Sequence, residues 1–563
     1  MKKEFNRNTY KALFVGGICI VLAILFRDLY SYGMCYDEVY RFNNWFPIFN
    51  KDAYPYNQSI CSVQIGNINI PLMLKQYISF ISIIPYVPAA WFNNSFWVLR
   101  SLYYVYTLAA ILITYFFLSK YNHRLAVIVA ILLTVNPLVY PYIKFGWSNY
   151  IYAIGLILAI VFWNKYQQTN KLRYLWLSVF VLCLQINIQF YFIWVAASLI
   201  ITLFIVYPKK SIDAVFHVKN FFIIVSAALL GLINYVVYNV KSGFPTLMTL
   251  WNYLFNLDEY NQNAIDNKQT TSLADGFQVK VNTYLSCVGI WKPLFLGILL
   301  FIVIANIVLV SVFIYRKQIQ EKKGYFVAGL VTIFSFLMML ISPNSQGAHH
   351  LTYIVIPLFV WIACTLELLI ECANKRVVKY WIYGVVGAIT VIFFIQSNTT
   401  APEDEISKSD YFSSNIFDLI EYVDEQEEIT DKNIIFLQWG FASQFYFMHN
   451  GEFQISELFW AVTDSQGIQY KTAQYLQYME GDVLYVPAYY TEVSDYGDDV
   501  VIIEENGVDK YIKVNEILAL WMHEFEANGG ICTIENTFDS REGNGRIVLF
   551  KVENVESLKQ NLQ

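Results

Sequence analysis

The chain has 563 residues, of which 56% are hydrophobic, 18% aromatic and only 15% charged, whereas a soluble domain carries nearer a quarter charged residues. Residues 1–396 hold 29 Lys/Arg and 13 Asp/Glu, a net +16; residues 397–563 hold 9 and 31, a net −22, and the two sum to −6. Such asymmetry marks two parts with different surroundings, and the acidic tail excludes a nucleic-acid partner, because a phosphate backbone would repel it.

The apolar residues fall in blocks long enough to cross a bilayer, which takes about 20 residues each. Hydropathy predicts eleven helices, near 11–31, 96–118, 124–142, 148–163, 172–186, 190–207, 219–240, 293–315, 325–342, 351–371 and 378–396. The long block 172–207 is split because QINIQ (185–189) sets three amide side chains at its centre. Uncompensated amides are costly in lipid, so a turn or a polar cavity is expected there. The first block is too long for a cleaved signal peptide, and no small-residue cleavage site follows it.

Basic residues favour the cytoplasmic side of a membrane. With Lys2, Lys3, Arg7 and Lys11 inside, the later inner loops carry Lys120/Arg124, Lys165/Lys171/Arg173, Lys209/Lys210/Lys219, Arg316/Lys317/Lys322/Lys323 and Lys375/Arg376/Lys379. The short outer loops 143–147, 187–189 and 343–350 contain one basic residue, Lys144. The alternation holds across eleven crossings. It predicts a cytoplasmic N-terminus and an extracytoplasmic C-terminus in a multi-pass protein of the cell membrane.

Two predicted outer loops are long. The first, 32–95, contains MCYDEVYRFNNW and then INIPLMLKQYISFISIIPYVP (68–88), which three prolines interrupt; it reads as one or two helices lying at the interface. The second, 241–292, is polar. A third, SPNSQGAHH (342–350), is short and ends in His349 and His350, two of only six histidines. Asp37 and Glu38 sit just beyond the first helix, where partial burial raises a carboxylate toward the range of a general base. His349, His350, Arg100, Lys75 and Lys292 are candidates to neutralise a lipid-borne phosphate. Arg100 stands near the outer end of the second helix, where a charge is expensive without a partner. Plainer readings stand beside these: solvated surface for the acids, interfacial or capping roles for the histidines, and snorkelling for Arg100.

A first helix followed by Tyr36-Asp37-Glu38-Val39-Tyr40, a long loop, and an Arg at the head of helix two together resemble one family. It is that of the GT-C glycosyltransferases that use polyprenyl-phosphate sugars, of the protein O-mannosyltransferase and aminoarabinose-transferase type. The likeness covers nearly the whole chain. IIFLQWGFASQFYFMHNGE (434–452) is similar to the strand, Trp-Gly turn and Tyr-rich helix of that group's extracytoplasmic C-terminal domain. The resemblance implies that Asp37 is the catalytic base or positions the acceptor, with Glu38 as the alternative. It implies that His349 or His350 binds the donor phosphate, and that transfer inverts the anomeric carbon. No cofactor is expected: cationic side chains suffice, although a divalent cation is compatible with the chemistry. Several members have thirteen spans against the eleven counted here, and nothing matches the WWDYG-type motif of oligosaccharyltransferases, the nearest word being FGWSNY (145–150).

The expected fold is therefore a polytopic α-helical membrane protein of about eleven spans, GT-C-like over 1–396, with an extracytoplasmic acidic α/β domain over 397–563. In that tail, helices are predicted at 411–428, 466–479 and 514–527, and strands near 433–438, 482–487, 499–504, 530–536 and 546–552. Gly543-Asn544-Gly545 suits a hairpin turn. Of eight scattered cysteines, Cys35 and Cys61 share the first loop and are candidates for a bridge. The expected partners are a polyprenyl-phosphate-linked sugar, membrane lipid and a glycan, lipid or protein acceptor. The competing functions are a transporter or flippase for a lipid-linked glycan, and a non-catalytic envelope-assembly protein. Transporters show internal repeats and charges deep in their spans; no repeat is found, and the helix interiors are nearly uncharged.

Overall fold

A computed structural model of the chain describes, apart from a few positions, residues 42–54, 59–92, 96–136, 150–246, 292–341, 352–399, 414–436, 441–454, 476–490, 500–539 and 546–562, with scattered residues from 12 to 39. By contacts the chain divides into two units that do not follow sequence order. One comprises 1–26, 58–85 and 102–401; the other comprises 27–57, 86–101 and 402–563. Two stretches of the first predicted outer loop thus cluster with the acidic tail.

The first unit is helical. Its apolar blocks form α1 (Phe96–Ser119, whose first six residues belong to the other unit), α2 (His123–Thr134), α3 (Tyr150–Thr169), α4 (Leu172–Ile188) and α5 (Ile193–Val206). There follow α6 (Pro208–Phe216), α7 (Val218–Gly231), α8 (Ile233–Lys241), α9 (Lys292–Tyr315), α10 (Ile319–Ile341), α11 (Thr352–Cys372) and α12 (Arg376–Thr399). Among the described residues, four helices are long and apolar enough to cross a membrane, or six if each of two bent pairs counts as one span. The chain is a multi-pass membrane protein. One bent pair, α5 and α6, turns through 117° where Pro208, which has no N–H to give, opens α6. The predicted helix 219–240 is the other pair, α7 and α8, bent by 75°.

QINIQ does mark a turn. α4 ends at Ile188, Gln189 is extended at φ −142°, and a short 3₁₀ turn Phe190–Phe192 leads into α5. The interfacial helices expected over 68–88 are corrected in their first half, which is strand, whereas 80–88 is helical. Residues Cys61–Ile65 (β1), Ile68–Lys75 (β2) and Ile78–Ser79 (β3) form an antiparallel sheet, and a 3₁₀ stretch runs over Phe80–Phe92. Gly66 at φ +61° supplies the left-handed residue of the β1–β2 hairpin. Pro71 lies opposite Ser62 beside a bulge, where a missing ladder donor is tolerated. Asn234 of α8 ties the sheet down, donating Nδ2 to Leu72 O at 3.0 Å and Ser79 Oγ at 2.6 Å.

The lysine-rich turns share one end of the helical unit. Asn122 of the α1–α2 turn donates to Tyr325 of α10 and Glu367 of α11. Lys323 of α10 lies 4.4 Å over the Tyr207 ring, and Lys210 Nζ donates to Asn170 at the α3–α4 turn, 2.8 Å away. Lys322 pairs with Glu371. Basic turns that alternate along the sequence are thereby gathered in space.

The second unit holds a three-stranded antiparallel sheet in the order Val483–Tyr490 (β4), Arg546–Glu553 (β8) and Ile531–Asp539 (β7). Val500–Glu505 (β5) and Val508–Lys513 (β6) make a separate hairpin. Its helices are α13 (Asn415–Glu425), α14 (Phe441–Met448), α15 (Glu516–Ala527) and α16 (Val555–Leu562). Trp521 and Phe525 of α15 and Leu558 of α16 pack on Val486, Phe550 and Val552 of the sheet to form the core. Within the predicted strand 433–438, Ile434 makes a parallel bridge to Tyr485, while residues 437–438, the Gly-Asn-Gly turn and most of helix 466–479 lie outside the described residues. Cys61 is a free, buried thiol, so the candidate bridge to Cys35 is not formed.

Candidate functional site

Asp37 and Glu38 lie outside the described residues, but their flanks are defined. Met34 and Val39 are both 0% exposed and Phe42 is 1% exposed. A loop that leaves a membrane helix is expected to be solvated, so burial on both sides of an acidic pair requires specific partners. Those partners come from α14, all of whose residues from Phe441 to Phe447 are buried.

Among the described residues, hydrogen bonds join α14 to the first loop. Gln444 Nε2 donates to Met34 O, Asn43 Nδ2 donates to Ser443 O at 2.8 Å, and the Tyr446 hydroxyl donates to Tyr54 O at 2.7 Å. Aromatic edges fill the space between them: Phe42 and Phe46 meet Phe447 at ring separations of 5.6 and 5.8 Å, and Phe96 meets it at 6.5 Å. After α14 the chain turns through Asn450 (φ +56°) and Gly451 (φ +84°), and Gly451 O accepts from Tyr54 N at 2.8 Å. A Cβ at Gly451 would sit 2.7 Å from that of Ala53 and 2.8 Å from that of Phe46. Glycine is required there for both backbone and space.

Arg100 is also 0% exposed. Its Nη1 donates to Leu29 O at 3.2 Å, and its guanidinium carbon lies 4.4 Å from the Phe96 ring centre and 5.9 Å from that of Trp97. A guanidinium taken out of water is held by hydrogen bonds and ring faces, and these fasten the end of the first predicted helix to the head of α1. Burial excludes the snorkelling reading for this residue.

Lys75 is the last residue of β2, with its side chain outside the described part; Lys292 opens α9 and is exposed; both belong to the first unit, whereas Arg100 belongs to the second. His349 and His350 lie outside the described residues. Among the described residues, no group of three His, Cys, Asp or Glu side chains is arranged to hold a metal ion.

Sequence reasoning missed Gln444, Asn43, Ser443 and Tyr446. The available signal was FASQFYFM, in which Ser and Gln interrupt a helix otherwise made of aromatic and apolar residues. Near the tail surface, His449 Nε2 faces Asp424 Oδ1 at 2.7 Å and Nδ1 faces Phe445 O at 2.8 Å. That contact links α13 to the end of α14.

No family model matches the sequence, and no curated protein matches it. Among solved structures, ArnT from Cupriavidus metallidurans in the apo state is similar with a TM-score of 0.54 at 11% identity, over 98% of this chain and 99% of that one. ArnT from the same organism bound to undecaprenyl phosphate gives a TM-score of 0.52 at 12% identity, over 98% of each chain. ArnT is of the aminoarabinose-transferase type that the sequence resembles, and the likeness runs from end to end. The chain has the fold of these ArnT structures.

Proposed function

We propose that the protein is a membrane glycosyltransferase that moves a sugar from a polyprenyl-phosphate donor to an acceptor hydroxyl on the outer face. The observation that carries this reading is the burial on both sides of Asp37-Glu38, fixed by α14 and by Arg100. Such support is what a catalytic carboxylate needs, because a general base acts only when held within hydrogen-bond reach of its proton. In this reading Asp37 takes the proton from the acceptor as it attacks the anomeric carbon from the face opposite the phosphate, and the configuration inverts. Glu38 is the alternative base. His349, His350, Lys75 and Lys292 neutralise the phosphate as it leaves. Arg100 is assigned to holding the end of the first predicted helix, because its guanidinium is fully buried against Leu29 and Phe96. The shared fold supports the reading, since one of the similar ArnT structures is bound to undecaprenyl phosphate. The proposal includes eleven spans, a cytoplasmic N-terminus, an extracytoplasmic tail, and no required metal.

The test uses purified full-length protein with polyprenyl-phosphate sugars and candidate acceptors. Asp37→Asn should lower kcat by at least about 10³-fold, the upper range for loss of a positioned base, with unchanged expression and melting. A rate that survives in Asp37→Asn and falls in Glu38→Gln moves the role to Glu38. Movement of the intact lipid-linked glycan across vesicles without sugar transfer would replace the reading with the flippase.

A further inference from the structure

Two grooves run end to end along α9, α10 and α11. One, of about 420 Å³, lies toward the lysine-rich end of the first unit; the other, of about 460 Å³, continues it, and Asn306, Ile333 and Trp361 line both. The walls are apolar because their polar side chains turn to the helices. Asn306 gives Nδ2 to Ile302 O and Thr365 Oγ1, and Thr332 gives its hydroxyl to Ala328 O. Gly329 lets the Trp361 ring lie against α10, since a Cβ there would meet Trp361 Nε1 at 2.7 Å. Ile205, Ile307, Ile333 and Leu337 of the walls are exposed. In a membrane protein such side chains face acyl chains, so the groove opens sideways to lipid. Between Lys323 and Leu337, α10 advances about 21 Å at 1.5 Å per residue. One leaflet of hydrocarbon is about 15 Å deep, so the groove takes a whole acyl chain.

Among the described residues, Lys323 is the one charged side chain on either wall, and it stands at the lysine-rich end. Its contact over the Tyr207 ring, at 4.4 Å, sets the ammonium there. The segments gathered at that end, 119–124, 164–173, 207–219, 315–323 and 367–379, carry fifteen basic and four acidic residues. Of the acids, Glu367 pairs with Arg124 and Glu371 with Lys322, Glu321 lines a neighbouring cavity, and Asp213 is exposed on α6. The groove therefore ends in an excess of positive charge.

We propose that this groove binds an anionic phospholipid, with one acyl chain laid along α10 and the phosphate at Lys323. Basic pockets between membrane helices recognise phosphate head groups in this way. The charge balance selects the head: a net-negative lipid is drawn to the basic end, whereas a zwitterionic one brings its own cation there and loses the gain. The site is separate from the sugar-transfer centre, since neither Arg100 nor Lys292 lines it.

The experiment uses full-length protein in phosphatidylcholine nanodiscs with two photoreactive probes that share one diazirine acyl chain, a phosphatidylglycerol and a phosphatidylcholine. The phosphatidylglycerol is expected to label residues 303–310 and 326–337 about five-fold more than the phosphatidylcholine, the preference one basic side chain gives at a membrane surface. Lys323→Gln should bring the two probes to near equality, whereas Lys323→Arg should keep the preference. Ile333→Trp, which puts bulk where the two grooves join, should lower labelling by the phosphatidylglycerol about five-fold or more; the Lys323 variants carry the test if it fails to fold. Equal labelling by the two probes in the native protein, a preference unchanged in Lys323→Gln, or labelling unchanged in a folded Ile333→Trp would each overturn the proposal. So would displacement of the phosphatidylglycerol by an equimolar polyprenyl phosphate, which would assign the groove to the donor. None of these readouts depends on sugar transfer.

Discussion

Gln444→Ala tests whether the tail holds the first loop in a catalytically relevant way. In the native chain Gln444 is 2% exposed, and its Nε2 donates to the carbonyl of Met34, which is 0% exposed and three residues before Asp37. Truncation leaves that carbonyl buried without this donor, at a cost of about 1–3 kcal/mol. Part is recovered, because Gln444 Oε1 is itself buried without a partner and the variant removes it. The net loss is about 1 kcal/mol, which lowers Tm by roughly 2–4 °C for a unit of this size. The effect on rate should be larger. A shift of about 1 Å in a catalytic group costs on the order of 10²-fold, so kcat should fall at least about ten-fold. The donor KM should stay near wild type, because Gln444 is assigned no part in donor binding. Thermal melting and steady-state kinetics on the same preparation separate the two effects. Full activity in a variant that melts 2–4 °C lower would refute the reasoning, because α14 would then support the fold and not the site.

Gly451→Ala forces a β-carbon to within 2.8 Å of two others at φ +84°, and should cost about 2–5 kcal/mol from left-handed strain and overpacking together, read by thermal melting of the purified protein. Tyr422 donates to Glu535 Oε1 at 3.2 Å, and burial, then the Glu535 charge, push its hydroxyl up from 10.0 to about 12. Its folded-state value lies above the unfolded one, so its contribution is fully present below pH 10 and is lost as pH rises toward 12. Tyr422→Phe should therefore flatten the alkaline fall in Tm between pH 10 and 12 and lower Tm at pH 7 only by the loss of one exposed hydrogen bond; an identical alkaline profile would count against the assignment.

The sequence was most informative where one physical constraint dominates. Lipid demands long apolar helices, so the blocks that became α1, α4, α9, α11 and α12 were visible within a few residues. The QINIQ amides announced the turn at Gln189 because lipid cannot satisfy them. The tail's strands β4, β7 and β8 were similarly readable from alternation between turns. The reading failed where local pattern and tertiary context conflict. Prolines 71, 85 and 88 suggested broken interfacial helices, but Asn234 and the Gly66 hairpin made a sheet of 61–79, with Pro71 at a bulge where it costs little.

Sequence by itself determined that this is a membrane protein with alternating basic turns and an acidic pair beyond its first apolar block. These follow from composition, period and order, which each residue carries alone. Only the tertiary structure decided that the acidic pair's flanks are buried by α14, about 400 residues away in sequence, and that Arg100 is buried, bonded to Leu29 O and set over the Phe96 ring. Hydrogen bonds such as Asn43 to Ser443 depend on which surfaces the fold brings together, and neither partner signals the other in its local sequence.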